Sequence, residues 1–153
     1  MNKLENRIPP PILMVLVAII MYFIAIITPT IYISNLTRWG LTAFLVILAG
    51  FFGPPAFKTF LMANTTTDPI NIDKTSTLVT WGVYRYSRNP MYLSLTLLLC
   101  AWNIWLARPI FITGPILFVI FISRFQIIPE ELILLEHYGS QYSDYKKLVR
   151  RWL

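Results

Sequence analysis

The chain has almost none of the residues from which disulfide scaffolds and metal centres are built. It contains one cysteine, Cys100, and one histidine, His137. A disulfide needs two thiols, and zinc sites draw most of their ligands from cysteine and histidine. The sequence therefore predicts neither a disulfide framework nor a metal site.

Charged residues are scarce as well. They make up 13% of the chain, against 56% hydrophobic residues, whereas a soluble domain usually has about 25% charged residues. This balance is typical of integral membrane proteins, and a length of 153 residues suits one compact bundle, so residues 1–153 are expected to form a single domain. The net charge of +6 does not by itself indicate nucleic acid. We expect the lipid bilayer as a partner and no nucleic acid.

Four apolar segments are candidates for membrane spans, each of which needs about 20 residues. They cover residues 12–33, 39–62, 91–107 and 110–128. The first, preceded by basic residues, is interpreted as a retained signal anchor. The pair Pro54-Pro55 predicts a kink or break in the second span near Gly53. Since only Arg108-Pro109 separates the last two spans, we expect them to form a tight antiparallel hairpin.

Two short cytoplasmic helices are expected after the fourth span, over residues 129–138 and 140–152. Gly139 lies between them, in the position that often ends a helix. The second helix has aromatic and aliphatic residues at helical spacing and basic residues around them, a pattern typical of helices lying in the membrane interface. The predicted fold class is therefore an all-α integral membrane protein with about four transmembrane helices, a helical hairpin and a C-terminal amphipathic interfacial helix region.

The distribution of basic residues predicts the orientation of this bundle. With four spans, all lysines and arginines except Arg38 and Arg108 fall on the side of both termini and the middle loop. The positive-inside rule assigns that side to the cytoplasm. A multi-pass protein with both termini and the active face in the cytoplasm is expected.

Two helix starts are predicted at this cytoplasmic boundary. Asn89-Pro90 combines an N-cap residue with proline at the first helical position. Pro129-Glu130-Glu131 places acids in a first turn, where the helix dipole favours them. Both starts would offer unpaired N–H groups to an anion. We expect them to face each other as two walls of one site.

The chemistry between these walls suits a zwitterionic ligand that carries a ring and a cation. Arg85 and Arg88 provide positive charge, the acidic pair provides negative charge, and tyrosines provide flat faces. S-adenosylmethionine fits this description, and so do a nucleotide or a lipid headgroup. Taken singly, each feature also has a plainer interpretation, such as interfacial arginines whose charged ends reach toward water or tyrosines of the aromatic belt.

Two blocks of the chain resemble a known enzyme superfamily. Residues 77–92 read T-L-V-T-W-G-V-Y-R-Y-S-R-N-P-M-Y, and the tail contains P-E-E-L-I-L-L-E-H-Y-G-S-Q-Y-S-D-Y. Both resemble signatures of the isoprenylcysteine carboxyl methyltransferase and phospholipid methyltransferase superfamily. The resemblance implies an integral membrane enzyme that binds S-adenosylmethionine and methylates a membrane-embedded lipid or isoprenoid-type acceptor.

The resemblance also implies the residues of the site. By position, the cofactor contacts would be Ser76, Thr77, Leu78, Val79, Tyr84, Asn89, Pro90, Met91, Tyr92 and Glu130. Arg88 and Arg124 are the candidate catalytic residues.

Two departures from the family pattern concern the acceptor. Asn89 stands where the prenylcysteine enzymes have histidine, and Gln126 stands where they hold the substrate carboxylate with arginine, with Arg124 nearby on another helical face. These departures put carboxyl methylation of a prenylcysteine in doubt and leave the acceptor atom open. A sterol-reductase-like enzyme using a nicotinamide cofactor and a non-catalytic membrane scaffold are the competing hypotheses, and the oligomeric state is open.

Overall fold

The computed structural model describes residues 8–62, 78–108 and 112–153, and within these ranges the regular structure is helical, without strands. The all-α prediction is thus confirmed. The elements are α1 (Pro10–Ile27), α2 (Asn35–Met62), a 3₁₀ turn (Gly82–Arg85), α3 (Pro90–Leu106), α4 (Thr113–Ile122), a π segment (Ser123–Ile127), α5 (Ile128–Tyr138) and α6 (Ser140–Leu148).

The first two helices are long and apolar enough to cross a bilayer. Their candidate spans, Pro10–Ile27 and Asn35–Thr59, have mean hydropathies of 2.7 and 1.8, yet only 11% and 17% of their residues are buried in the protein. The exposed side chains include Phe23, Ile27 and Ile47. Exposure of so many large apolar groups is unfavourable in water and favourable in lipid. α1 and α2 are therefore candidate membrane-spanning helices, whereas the four-span count stays a prediction, since α3 has 17 residues and α4 has 10.

The bounds of the first two spans differ from those predicted. α1 ends at Ile27, and the following residues are extended, with the Ile31 N–H donating to the Ala107 carbonyl at 3.0 Å. α2 runs without a break through Pro54 and Pro55, so the break that the proline pair could have caused is absent.

Contact with α3 supports α2 at this point. The two prolines remove the N–H donors that would have reached the carbonyls of Gly50 and Phe51, and the contact with α3 lies directly before these residues. Ser94 of α3 donates its hydroxyl to the Ala49 carbonyl at 2.9 Å. A Cβ added to Gly53 would lie 2.5 Å from Ser94 Oγ, so glycine is what allows the two helices to approach this closely.

α3 is the central helix of the bundle, packed against α1, α2 and α4. One core cluster joins α1, α3, α4 and the π segment through Met21, Leu99, Phe118, Ile122 and Ile127. The chain turns back after α3, and the start of α3 contacts the start of α5 through Tyr92 and Glu130. α3 and α4 are thus antiparallel, as the hairpin prediction requires, although residues 109–111 lie outside the described part.

The helix that begins at α4 continues through the π segment into α5, which corrects the prediction of a second helix start at Pro129. Ile127 has helical dihedral angles, and the Ile128 N–H donates to the Ser123 carbonyl. A proline cannot donate to the preceding turn and its ring crowds that turn, and the wider π turn ahead of Pro129 accommodates this defect. There is consequently no separate set of free N–H groups at Pro129.

Gly139, with φ of +51°, ends α5 as predicted. α6 is shorter than predicted, because it stops at Leu148. Its aromatic side packs on protein: Tyr142, Tyr145 and Val149 are buried together, against side chains that include Leu78 and Leu134. The location of this region in the membrane interface stays a prediction.

Candidate functional site

The segment ahead of α3 is held against the core of the bundle. Gly82 adopts a φ of +64° where the 3₁₀ turn begins, a conformation that other residues rarely adopt. Val83 and Tyr84 in this turn are buried in a cluster with Phe52 of α2 and Leu93 of α3. The turn therefore presents the following residues, 86–89, at the cytoplasmic end predicted for α3.

Asn89 occupies the N-cap position of α3, as predicted, but its side chain makes no capping hydrogen bond. Asn89 Nδ2 instead donates to the Arg151 carbonyl at 3.0 Å. The same carbonyl accepts from Ser87 Oγ at 3.3 Å, and the Arg88 N–H donates to the Arg150 carbonyl at 3.0 Å. Asn89 thus helps to attach the C-terminal tail to the start of α3.

Glu131 lies at the centre of a largely buried ionic cluster that we call the arginine–glutamate cluster (Arg88, Glu131 and Arg151), in which the Arg151 side chain is 36% exposed. Arg88 Nη1 is 3.0 Å from Glu131 Oε1. Arg151 binds both oxygens, with Nη2 2.7 Å from Oε2 and Nε 3.1 Å from Oε1. The side chains of Arg88 and Glu131 are only 9% and 10% exposed. In this environment each charge depends on the others, because an unpaired ion is costly away from water.

Glu130, one residue earlier, points to a different partner. The Tyr92 hydroxyl donates to Glu130 Oε1 at 2.5 Å. Burial raises the pKa of Glu130 to about 7; the Tyr92 hydrogen bond lowers it, and the neighbouring charge of Glu131 raises it. Adjacent residues on a helix point about 100° apart, so the two carboxylates serve two separate sets of contacts.

Three tyrosines, Tyr84, Tyr142 and Tyr145, lie in the same neighbourhood. The Tyr145 hydroxyl donates to the Tyr84 carbonyl at 2.7 Å, and Arg88 Nη1 donates to the Tyr142 hydroxyl at 3.4 Å. Burial raises the pKa of Tyr84 and of Tyr145 well above the ordinary value. The pKa of Tyr142 is raised to about 12, by burial first and by Glu131 second, while Arg88 lowers it. All three side chains are therefore neutral at physiological pH.

The remaining residues predicted to contact a cofactor are dispersed around this centre. Val79 and Pro90 are buried, while Leu78 and Met91 are partly buried. Val79 and Met91 pack in the cluster of Tyr84, and Leu78 packs against the α6 tyrosines. Ser76 and Thr77 lie outside the described residues. The structure thus brings Tyr84, Arg88, Asn89, Tyr92 and Glu130 into one neighbourhood.

Arg124 and Gln126, the two candidates for binding an acceptor, have other contacts. Arg124 is exposed, and its guanidinium carbon is 6.0 Å from the centre of the Phe125 ring. Across the described part of the chain, no hydrogen bond or ion pair joins it to Arg88, Glu130 or Glu131. Gln126 is 3% exposed and donates from Nε2 to the Ile8 carbonyl at 3.0 Å, so it fastens the N-terminal segment.

Sequence reasoning did not identify Arg151 or Ser87 as parts of this site and assigned Arg151 to the charged surface of the last helix. The acidic pair gave no signal for Arg151. Both arginines bind Glu131, whereas Glu130 pairs with the Tyr92 hydroxyl, so the number of carboxylates does not predict the number of arginines.

The residues of this neighbourhood could bind an organic ligand that carries one positive and one negative charge. Among the residues that the structure describes, no group of three histidine, cysteine, aspartate or glutamate side chains could hold a metal ion. Glu130 uses Oε1 for Tyr92, which leaves Oε2 as an acceptor for an ammonium group. Arg88 Nε is buried and has no hydrogen-bond partner within the described ranges, so it could donate to a carboxylate.

Comparison with known proteins places this chain in a family. A family model described as phospholipid methyltransferase matches residues 37–141, which is more than half of the chain. An uncharacterized protein from Haemophilus influenzae is 48% identical over 63 residues, 41% of this chain and the whole of that protein. No solved structure matches. The chain therefore belongs to the phospholipid methyltransferase family, within the group of membrane methyltransferases that also includes the isoprenylcysteine carboxyl methyltransferases.

Proposed function

We propose that this protein transfers a methyl group from S-adenosylmethionine to a lipid or isoprenoid-type acceptor embedded in the membrane, at the cytoplasmic face. The observation that carries the proposal is the pairing of Tyr92 with Glu130 beside the arginine–glutamate cluster, in a chain of the phospholipid methyltransferase family. The predicted orientation of the bundle puts this neighbourhood in the cytoplasm, where a water-soluble cofactor has access.

The residues present fit this cofactor. S-adenosylmethionine, when bound, supplies an electrophilic methyl group on a sulfonium. Glu130 would bind the ammonium through Oε2, and the orphaned Arg88 Nε–H would donate to the carboxylate. Tyr84 and Tyr92 would line the pocket with aromatic faces, which attract cations. The Glu131 carboxylate and Arg151 hold Arg88 in place for this role.

The protein's contribution is positioning and exclusion of water. Direct displacement at a methyl carbon needs alignment of acceptor and donor more than it needs covalent catalysis. The site lies at the ends of apolar helices with lipid-facing surfaces, so an acceptor can approach from the bilayer. Because Gln126 is bound to Ile8 and does not replace the family's carboxylate-binding arginine, the geometry favours an acceptor other than a prenylcysteine carboxylate.

Titration of protein reconstituted in lipid nanodiscs with S-adenosylhomocysteine tests the proposal. We expect saturable binding to wild type, loss of binding in Glu130→Ala and Arg88→Ala, and unchanged binding in Glu136→Ala, an exposed glutamate on the same helix. Thermal unfolding of each variant shows whether the fold is retained. Absence of binding to wild type up to millimolar ligand would rule out the methyltransferase function.

Two further assays separate the competing hypotheses and identify the acceptor. Binding of a reduced nicotinamide dinucleotide in place of S-adenosylhomocysteine would support the reductase alternative, and binding of neither would support the scaffold. Incubation of membranes with methyl-labelled cofactor, followed by extraction and separation of the lipids, identifies the labelled acceptor.

A further inference from the structure

A second candidate site lies at the opposite ends of α2 and α3. An open groove of about 430 Å³ runs between the two helices, lined by Trp39, Thr42, Val46, Leu98, Ala101, Trp102 and Trp105. Its volume is within the range of roughly 300–1,000 Å³ that ligand pockets usually have. The spacing of three to four residues on each helix shows that one face of α2 meets one face of α3 across the groove.

Three of the seven residues that line the groove are tryptophans. Trp39 and Trp105 pack edge to face, with ring centres 4.3 Å apart. Trp102 is fixed from behind, because its Nε1–H donates to the Ala18 carbonyl of α1 at 3.1 Å. The aliphatic part of the lining comes from Val46, Leu98 and Ala101. From residue 39 to residue 46 the groove extends about 10 Å along α2, at 1.5 Å per residue. Such a surface accommodates one hydrocarbon chain.

One end of the groove is polar and positively charged. The guanidinium carbon of Arg38 lies 5.0 Å from the centre of the Trp105 ring. Arg38 Nε and Thr42 Oγ1 are both shielded from solvent and have no hydrogen-bond partner among the described residues. Residues 38 and 42 are one turn apart on the same helix face. Two polar groups that are buried without partners are unfavourable unless a ligand supplies the missing bonds.

The geometry points to a binding site for an anionic phospholipid, with one acyl chain in the groove and the phosphate on Arg38 and Thr42. The apolar wall matches the acyl chain. The positive charge of Arg38 and the two unpartnered polar atoms match the phosphate. Trp105 is about 20 Å along α3 from Tyr92. The groove is therefore separate from the methyl-transfer site, its lipid belongs to the other leaflet, and its occupancy does not depend on the proposed function.

Quenching of tryptophan fluorescence by brominated lipids provides the test. The protein is reconstituted in vesicles containing phosphatidylcholine and either brominated phosphatidylglycerol or brominated phosphatidylcholine. We expect wild type to show a roughly five-fold preference for the anionic lipid, as one interfacial arginine provides. Arg38→Gln should abolish this preference, whereas Arg150→Gln, which removes an exposed arginine at the other end, should keep it. Val46→Phe, which fills the groove, should reduce quenching by both lipids.

The alternatives give different results. Equal quenching of wild type by the two lipids, or a preference that survives in Arg38→Gln, would overturn the proposal. Displacement of the brominated anionic lipid by inorganic phosphate would show that the site binds anions without any contribution from the acyl chain. This result would also overturn the proposal. A second copy of the protein on this face would protect the groove from both lipids and would give a dimer in crosslinking. That result would likewise overturn the proposal. Thermal unfolding of each variant establishes that a lost signal does not reflect a lost fold.

Discussion

Arg88 and Arg151 bind the same carboxylate, that of Glu131, although one precedes α3 and the other lies in the C-terminal tail. Their shared partner belongs to α5, so three distant segments meet at a single buried charge. Two further hydrogen bonds run alongside this contact, from the Arg88 N–H to the Arg150 carbonyl and from Asn89 Nδ2 to the Arg151 carbonyl. The start of α3, the acidic turn of α5 and the last residues of the chain are thereby stabilised as one unit.

Replacement of Glu131 by alanine should destabilise the fold strongly. The change leaves two arginines near each other without their common anion, and removal of one partner from a buried ion pair typically costs about 3–5 kcal/mol. Thermal unfolding in detergent measures the effect. Asp144→Ala is the matched control, because Asp144 and Lys147 form an exposed ion pair, and it should leave the melting temperature unchanged. Equal effects of the two changes would contradict the assigned role of Glu131.

The stability of the fold should depend on pH through Glu130. Its pKa is about 7 in the folded protein, against an ordinary value of 4.5. Between these values the folded chain binds more protons than the unfolded chain, so the free energy of unfolding falls as the pH rises from 4.5 to 7. The loss amounts to at most about 3 kcal/mol. Denaturant unfolding across this interval should show the decline in wild type and in Glu136→Gln, and a flatter profile in Glu130→Gln.

Tyr92→Phe should shift the titration of Glu130 upward. The hydrogen bond from Tyr92 favours the ionised carboxylate and lowers its pKa. Hydrogen bonds to charged groups contribute about 1.5–3 kcal/mol, which corresponds to a shift of about one to two pH units. If Glu130 binds the cofactor ammonium, the pH at which S-adenosylhomocysteine affinity reaches half its maximum should rise by this amount. An unchanged profile would show that the Tyr92–Glu130 contact does not influence binding.

Gly53→Ala should destabilise the contact between α2 and α3. The added methyl would lie 2.5 Å from Ser94 Oγ, and overpacking of this kind costs about 1–3 kcal/mol. Gly50→Ala is the control, because its methyl meets nothing within 4 Å and alanine is the better helix former. Ser94→Ala combined with Gly53→Ala should recover part of the loss. Thermal unfolding of the single and double variants gives the coupling between the two positions.

Local patterns predicted most of the helices but not how their ends are joined. Asn89-Pro90 and Gly139 mark a start and a stop by their own backbone preferences, and both were found where expected. Pro129 was misread because a proline is equally compatible with the first turn of a new helix and with a π turn inside a longer one. Hydrophobicity and spacing do not distinguish these cases, since the difference lies in the hydrogen-bond register.

The centre of the site was predicted only in part, for a related reason. Glu130, Tyr92 and Arg88 could be identified from the resemblance to the methyltransferase superfamily. The contacts of Ser87, Asn89 and Arg151 join the ends of the second half of the chain and leave no periodic trace in the sequence. Asn89 shows the limit clearly, because its position was predicted and its hydrogen-bond partner was not.

The π segment between α4 and α5 also determines where the two glutamates point. A π turn behaves as a one-residue insertion in an α-helix, and each residue rotates the following helix by about 100°. If one residue were lost between Ser123 and Ile127, Glu130 would turn away from Tyr92, and Glu131 would turn away from its arginines. A single extra residue in the helix therefore sets the direction in which Glu130 and Glu131 point. It thereby determines which of the two carboxylates faces the proposed ligand.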